Sequence, residues 1–163
     1  MHCKTIHIVR HGKAVQDTVD IDDYDRPLTE KGIINSISVA QKFAAQHATP
    51  DVIISSHAAR ALHTAHIFAR ENKYPAENVL VSEKIYFRGF ENIIGIITSI
   101  PDNINSIMIV GHNPDLTNLA INLGAQINEL STSAVVTICF KTDSWSKVCT
   151  ASTSYSSIDK KEC

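Results

Sequence analysis

The sequence predicts an α/β protein: a three-layer sandwich with a mostly parallel central sheet and an antiparallel edge hairpin. Three observations predict it. Short apolar, β-branched runs alternate with longer stretches of helical periodicity. One run, Ile107-Met108-Ile109-Val110, is continuously apolar, as a parallel strand covered on both faces should be. Two β segments then follow one another near the C-terminus with only a short turn between them, which requires an antiparallel pair.

The elements follow in order. Thr5 to Arg10 reads as a strand ending at His11-Gly12, where glycine allows a sharp turn. Asp17 to Pro27 is acidic and ends in proline, a loop. Thr29 is placed to cap a helix, Glu30 suits its first turn, and Ile33, Ile37, Ala40 and Ala44 recur at helical spacing to about His47. Thr49-Pro50 stops it. Val52 to Ile54 is a short buried strand. Ser55 and Ser56 offer caps for a helix over His57 to Asn72 that turns Leu62, Ala65, Phe68 and Ala69 inward. Asn78 to Ser82 is a further strand. Phe90 to Ser99 reads as helix, although its isoleucines suit a strand as well. After the turn at Pro101-Asp102-Asn103, Ser106 to Val110 is the central strand and Gly111-His112 ends it. Asn113 is a cap and Pro114 a first helical residue, with Leu116, Leu119, Ala120 and Leu123 on the apolar face and Gly124 as the stop. Ala134 to Phe140 and Trp145 to Thr150 form the closing hairpin around Thr142-Asp143-Ser144. Residues 1–151 are one domain. Residues 152–163 are a polar tail, expected to be partly disordered.

Bulk properties narrow the function. With 163 residues, one core suffices without disulfides or metals. A net charge of −2 gives no electrostatic reason to expect a nucleic-acid partner. No apolar run approaches the roughly 20 residues that span a bilayer, and no leader is read at the N-terminus, so a cytoplasmic protein with no membrane partner is expected, as a monomer. Cys3, Cys139, Cys149 and Cys163 contain no Cys-x-x-Cys pair and read as reduced thiols.

The chemistry lies at strand ends. Arg10-His11-Gly12 follows one strand and Gly111-His112 another, at the edge where open α/β sheets bind ligands. Arg60 lies in or near the first turn of the helix that follows a third strand. Two arginines and two histidines thus converge. Guanidinium forks match phosphate oxygens and stay charged. Helix N-termini near His57 and Pro114 add N–H groups. A neutral imidazole can attack phosphorus, and surrounding positive charge keeps it neutral.

These segments resemble the histidine phosphatase superfamily, which includes the phosphoglycerate mutases. Val9-Arg10-His11-Gly12-Lys13-Ala14 and Asp25-Arg26-Pro27-Leu28-Thr29-Glu30-Lys31-Gly32 are similar to its short SixA-type branch, the phosphohistidine phosphatases. So are Ser55-Ser56-His57-Ala58-Ala59-Arg60-Ala61-Leu62-His63-Thr64-Ala65 and Val110-Gly111-His112-Asn113-Pro114. The resemblance implies a phosphoglycerate mutase-like fold and His11 as the nucleophile that becomes phosphohistidine. It implies Arg10, Arg60 and His112 as the phosphate clamp, with His112 protonated. No metal or other cofactor is implied. His57 stands where the family has proline.

The general acid is open. Larger members supply a carboxylate near the third strand, and Glu83 and Glu91 are the candidates, although both read more simply as surface charges. A phosphoramidate needs less help from an acid than an ester does. The expected activity is therefore removal of phosphate from phosphohistidine on signalling or phosphorelay proteins. The alternatives are hydrolysis of small phosphate esters or anhydrides and, without catalysis, a phosphate-binding adaptor. His7 points to the sheet face opposite Arg10 and reads as structural. His63 and His66 have zinc-compatible spacing but no further ligands nearby. Ser131-Thr132-Ser133 reads as a turn.

Overall fold

A computed structural model describes residues 3–17 and 20–159. Six strands form one sheet, β1 Lys4–Arg10, β2 Val52–Ser55, β3 Leu80–Val81, β4 Ser106–Gly111, β5 Val135–Phe140 and β6 Thr153–Ile158, in the order β3-β2-β4-β1-β5-β6. β1, β2, β3 and β4 run parallel to their neighbours among them, β5 is antiparallel to β1, and β6 is antiparallel to β5. The helices are α1 Glu30–Gln46, α2 Ala59–Glu71, α3 Phe90–Thr98 and α4 Asp115–Asn122. The three-layer sandwich is as predicted. Among the described residues no helix is long and apolar enough to cross a membrane.

Strand alternation divides the core. Ile6, Ile8, Ile107 and Ile109 face α3 and α4 with Leu116, Leu119 and Ile93. Val9, Met108, Val110 and Ile53 face α1 and α2 with Val39, Phe43 and Phe68. β4 lies between β1 and β2, and its Ile107 to Val110 are fully buried, which is why that run carries no polar residue.

Two close approaches fix the chain around the end of β1. A Cβ on Gly12 would stand 2.5 Å from Ser36 Oγ, and one on Gly32 would stand 2.1 Å from the Lys13 carbonyl oxygen. Only glycine lets the turn after β1 lie against the first turn of α1. Thr29 caps that helix as expected, accepting from the Gly32 N–H at 3.0 Å.

The closing hairpin differs from expectation. Trp145–Lys147 is a 3-10 turn, and the partner of β5 is β6, inside the segment read as a polar tail. Trp145 and Val148 are buried three residues apart, a helical spacing, with Trp145 Nε1 donating to the Ile104 carbonyl at 2.8 Å. β6 exposes five of its six residues. It is an edge strand held chiefly by backbone pairing, so its serines and threonines give no apolar signal. The last four residues, Cys163 among them, lie outside the described residues. Cys3, Cys139 and Cys149 are free thiols. Asn113 does not cap α4: its Nδ2 donates to the Leu130 carbonyl at 2.9 Å and its Oδ1 accepts from Thr117 Oγ1 at 2.9 Å.

Candidate active site

β1 and β4 are paired up to Arg10 and Gly111, so the next residue of each strand, His11 and His112, leaves the sheet side by side. Their ring centroids are 5.0 Å apart, close to the spacing of neighbouring strands. α2 starts at Ala59, two residues later than the sequence predicts, and puts Arg60 in its first turn. Arg60 is 2% exposed, and its Nε donates to His11 Nε2 at 3.3 Å. Thr64, one turn on, ties the two elements together. Its Oγ1 accepts from the Gly12 N–H at 3.0 Å and donates to the Arg60 carbonyl at 2.7 Å. From the other side the buried Ser133, at φ 67°, donates its N–H to the carbonyls of Arg10 (3.1 Å) and His11 (3.2 Å).

The hydrogen bonds assign the tautomer of His11. Its Nδ1 lies 2.7 Å from the Gly12 carbonyl oxygen, which can only accept, so Nδ1 carries the proton. Nε2 therefore holds the lone pair. Burial is the largest cause of a pKa brought down to about 4, and the charges of Arg60, Arg10 and Arg26 add to it while the bond to Gly12 opposes it. The ring is neutral at cell pH, with its free nitrogen turned toward a guanidinium.

His112 is 1% exposed, with Nε2 2.8 Å from Ser56 Oγ. Ser56 already accepts from the Ala58 N–H at 3.3 Å, so its hydroxyl proton is free to go to His112. In that tautomer Nδ1–H is a donor, and it is buried without a partner. Protonated His112 was the expectation. Burial first, then His11 and Arg60, instead lower its pKa to about 2, against the pull of Asp23. Before an anion binds, this imidazole is neutral.

Arg10 donates through Nη1 to Glu129 Oε1 at 3.1 Å and the Leu130 carbonyl at 2.9 Å, while its Nε is buried without a partner. The Nδ1 of His57 is a third such atom. Buried polar atoms are nearly always satisfied. These three atoms lie on residues around the ends of β1, β2 and β4, where a ligand rich in hydrogen-bonding atoms can pair with them.

Glu83 and Glu91 are both exposed, and neither has a hydrogen bond or ion pair with these residues among those described. The carboxylate that meets Arg60 is Asp23, from a 3-10 turn in the acidic loop. Its Oδ2 accepts from Arg60 Nη2 at 2.9 Å and from the Tyr86 hydroxyl, its carbonyl oxygen from Arg60 Nη1, and its Oδ1 from Arg26 Nη1 at 2.8 Å. Partial burial pushes its pKa up, but Tyr86, Arg60 and Arg26 outweigh that and hold it below the ordinary carboxylate range. Neither Asp23 nor Tyr86 stood out in the sequence. The available signal was an acidic loop in a chain with a cationic pocket. The mouth is aromatic: His57 lies 4.9 Å from Tyr86, and Phe87, 48% exposed and at φ 48°, lies 4.9 Å from His112. His63 and His66 are exposed, and no three His, Cys, Asp or Glu side chains form a metal-binding group among the described residues.

Comparison with known proteins agrees with this geometry. Residues 6–81 match the model of the histidine phosphatase superfamily (branch 1). No curated protein matches the chain in sequence. Among solved structures, SixA of Nakamurella multipartitia superposes with a TM-score of 0.83 at 18% identity, covering 98% of each chain. SixA of Agrobacterium tumefaciens gives a TM-score of 0.75 at 25% identity over 83% of this chain and 90% of the other. A protein histidine phosphatase SixA complexed with tungstate gives 0.81 at 19% identity over 95% and 96%. Sequence over residues 6–81, strand order and overall shape point the same way: that stretch is similar to the histidine phosphatase superfamily, and the chain has the phosphoglycerate mutase-like fold of the SixA structures.

Proposed function

We propose that this phosphatase removes phosphate from phosphohistidine on proteins, with His11 as nucleophile. His11 Nε2 attacks phosphorus in line with the bond to the substrate imidazole. The P–N bond breaks, and the substrate imidazole departs neutral because its ring has first taken up a proton. Water then attacks phosphorus as the His11 Nε2–P bond breaks, its proton stays on the phosphate or passes to solvent, and inorganic phosphate and neutral His11, still protonated at Nδ1, are freed. Arg10 and Arg60 hold the equatorial oxygens. The His112 Nδ1–H donates to a third oxygen, and the dianion itself raises the pKa of that ring.

The observation that carries the substrate choice is the state of the site's carboxylates. Among the described residues, Glu129 touches Arg10 and is 69% exposed, and Asp23 touches Arg60 and is held ionised by Arg60, Arg26 and Tyr86. An alkoxide leaving group needs a proton from the enzyme. An imidazole, with a pKa near neutrality, brings its own. The rings of His57, Tyr86 and Phe87 at the mouth also suit a planar leaving group.

The test is phosphate release from a phosphohistidine protein, a phosphoserine peptide, a sugar phosphate and a nucleotide. Preference for phosphohistidine by ~100-fold or more in kcat/KM is expected, the range one missing acid accounts for. Equal turnover of the unactivated esters would overturn the assignment in favour of a small-ester phosphatase. Binding without release would make the chain an adaptor.

A further inference from the structure

Arg60 is paired on every side. Its Nε is on the lone pair of His11 that must attack, and its two outer nitrogens are on Asp23, one on the carbonyl and one on the carboxylate. The same carboxylate receives Arg26 and the Tyr86 hydroxyl. A guanidinium fork, a second arginine and a hydroxyl around one small anionic group is the donor set that a phosphoryl group also seeks. Arg60 is 2% exposed, and a buried guanidinium left without an anion is costly. Something negative must face it whether or not substrate is bound.

We propose that Asp23 is an internal stand-in for the phosphoryl group, exchanged for it on binding and returned on product release. The inference rests on the reading that this site takes a phosphoryl anion. Substrate oxygens take over the outer N–H groups of Arg60. The Asp23 carboxylate then faces a dianion and withdraws. Arg60 follows the new anion, and its Nε leaves the His11 lone pair free to react. After hydrolysis the carboxylate competes with inorganic phosphate for the same donors and speeds its departure. The segment that must move is suited to it. None of residues 20–27 is buried, so the 3-10 turn carrying Asp23 shifts without opening the core. Asp23 is thus a positioning residue, acting through Arg60.

The test measures equilibrium binding of tungstate and of inorganic phosphate to the full-length protein by calorimetry, together with product inhibition. Asp23→Asn keeps the side chain's size and removes the competing charge. It should bind both anions ~10-fold tighter, the weight of one charge-assisted hydrogen bond. The inhibition constant of phosphate should fall by a similar factor, with no rise in kcat. Tyr86→Phe, which removes one of the donors holding Asp23, should shift both in the same direction by less. If wild type binds the anions and Asp23→Asn binds them equally or more weakly, Asp23 merely braces Arg60 and the exchange is wrong. If wild type binds neither anion, the phosphoryl site itself is wrong and the exchange falls with it.

Discussion

His7 lies within β1 and His11 one residue past its end, four residues apart, and burial lowers the pKa of both. His7 falls to about 3, from desolvation first and from His47 second. His11 falls to about 4. Both rings are neutral at cell pH and both have Nδ1 engaged, on Thr137 Oγ1 at 2.9 Å for His7 and on the Gly12 carbonyl for His11. The surroundings separate them. His7 meets Phe43 edge-on at 4.7 Å and His47 at 5.3 Å, and borders a cavity of about 240 Å³ whose lining includes neither Arg nor Lys. His11 lies at the strand end, with Arg60 on its free nitrogen and the charges of Arg10 and Arg26 within reach. A depressed pKa therefore does not identify a nucleophile. The role proposed for His11 rests instead on the cations arranged beside its free lone pair.

That contrast is broken most sharply by the paired substitutions His11→Ala and His7→Ala. The first should lower kcat/KM by ~10⁴-fold or more, as loss of a nucleophile does, and abolish an acid-labile phosphoenzyme. The second should leave kcat within about threefold while costing ~2–3 kcal/mol of stability through a core void. Phosphate release and thermal unfolding measure the two. A His7→Ala protein as inactive as His11→Ala yet fully folded would erase the distinction.

Acidification sharpens it next. The folded pKa values of His7, His11 and His112, about 3, about 4 and about 2, all lie below the ordinary 6.5. Above pH 6.5 both folded and unfolded states hold these rings neutral, and the stability is complete. As pH falls below that, the unfolded chain takes up protons that the folded one refuses, and stability is lost progressively toward those folded values. His7→Gln should reduce the acid-side slope between pH 6 and 4 by about 1.4 kcal/mol per pH unit, one proton's worth. Chemical denaturation at several pH values reads it. An unchanged slope would mean that His7 titrates normally.

The smallest effect is expected at Thr64, between the two kinds of role. Thr64→Val removes the acceptor of the buried Gly12 N–H and should cost ~1–3 kcal/mol. It should also lower kcat more than it changes KM, while Thr64→Ser restores both. A stability loss with unchanged kcat would place Thr64 with His7 as scaffold alone.

Much of this was legible in the residues, for identifiable reasons. His11 and His112 each end an apolar run and sit beside glycine, so pattern alone placed them at one sheet edge. Arg60 followed from the helix start read after Ser55-Ser56, although α2 begins at Ala59 with Ala58 as its N-cap and no serine side chain capping it. Asp23 was hidden because its meaning depends on a fold-back of the acidic loop onto a residue 37 positions away. Glu83 and Glu91 were plausible only by analogy with larger proteins, and the chain leaves both exposed. β6 was hidden because an edge strand with few buried side chains looks like a tail. Trp145 to Thr150, expected as a strand, instead buries Trp145 and Val148 three residues apart, the spacing of a helical turn.

The shared register of β1 and β4 has a consequence for how the chain tolerates change. Both imidazoles are mounted directly on the ladder, one step past the Arg10–Gly111 pair. One residue added within either strand would move its histidine ~3.3 Å along the sheet and turn it to the opposite side. Added residues are therefore expected to disturb this pair least in loops such as the acidic loop and the stretch between α4 and β5. The 5.0 Å between the two rings is inherited from the sheet.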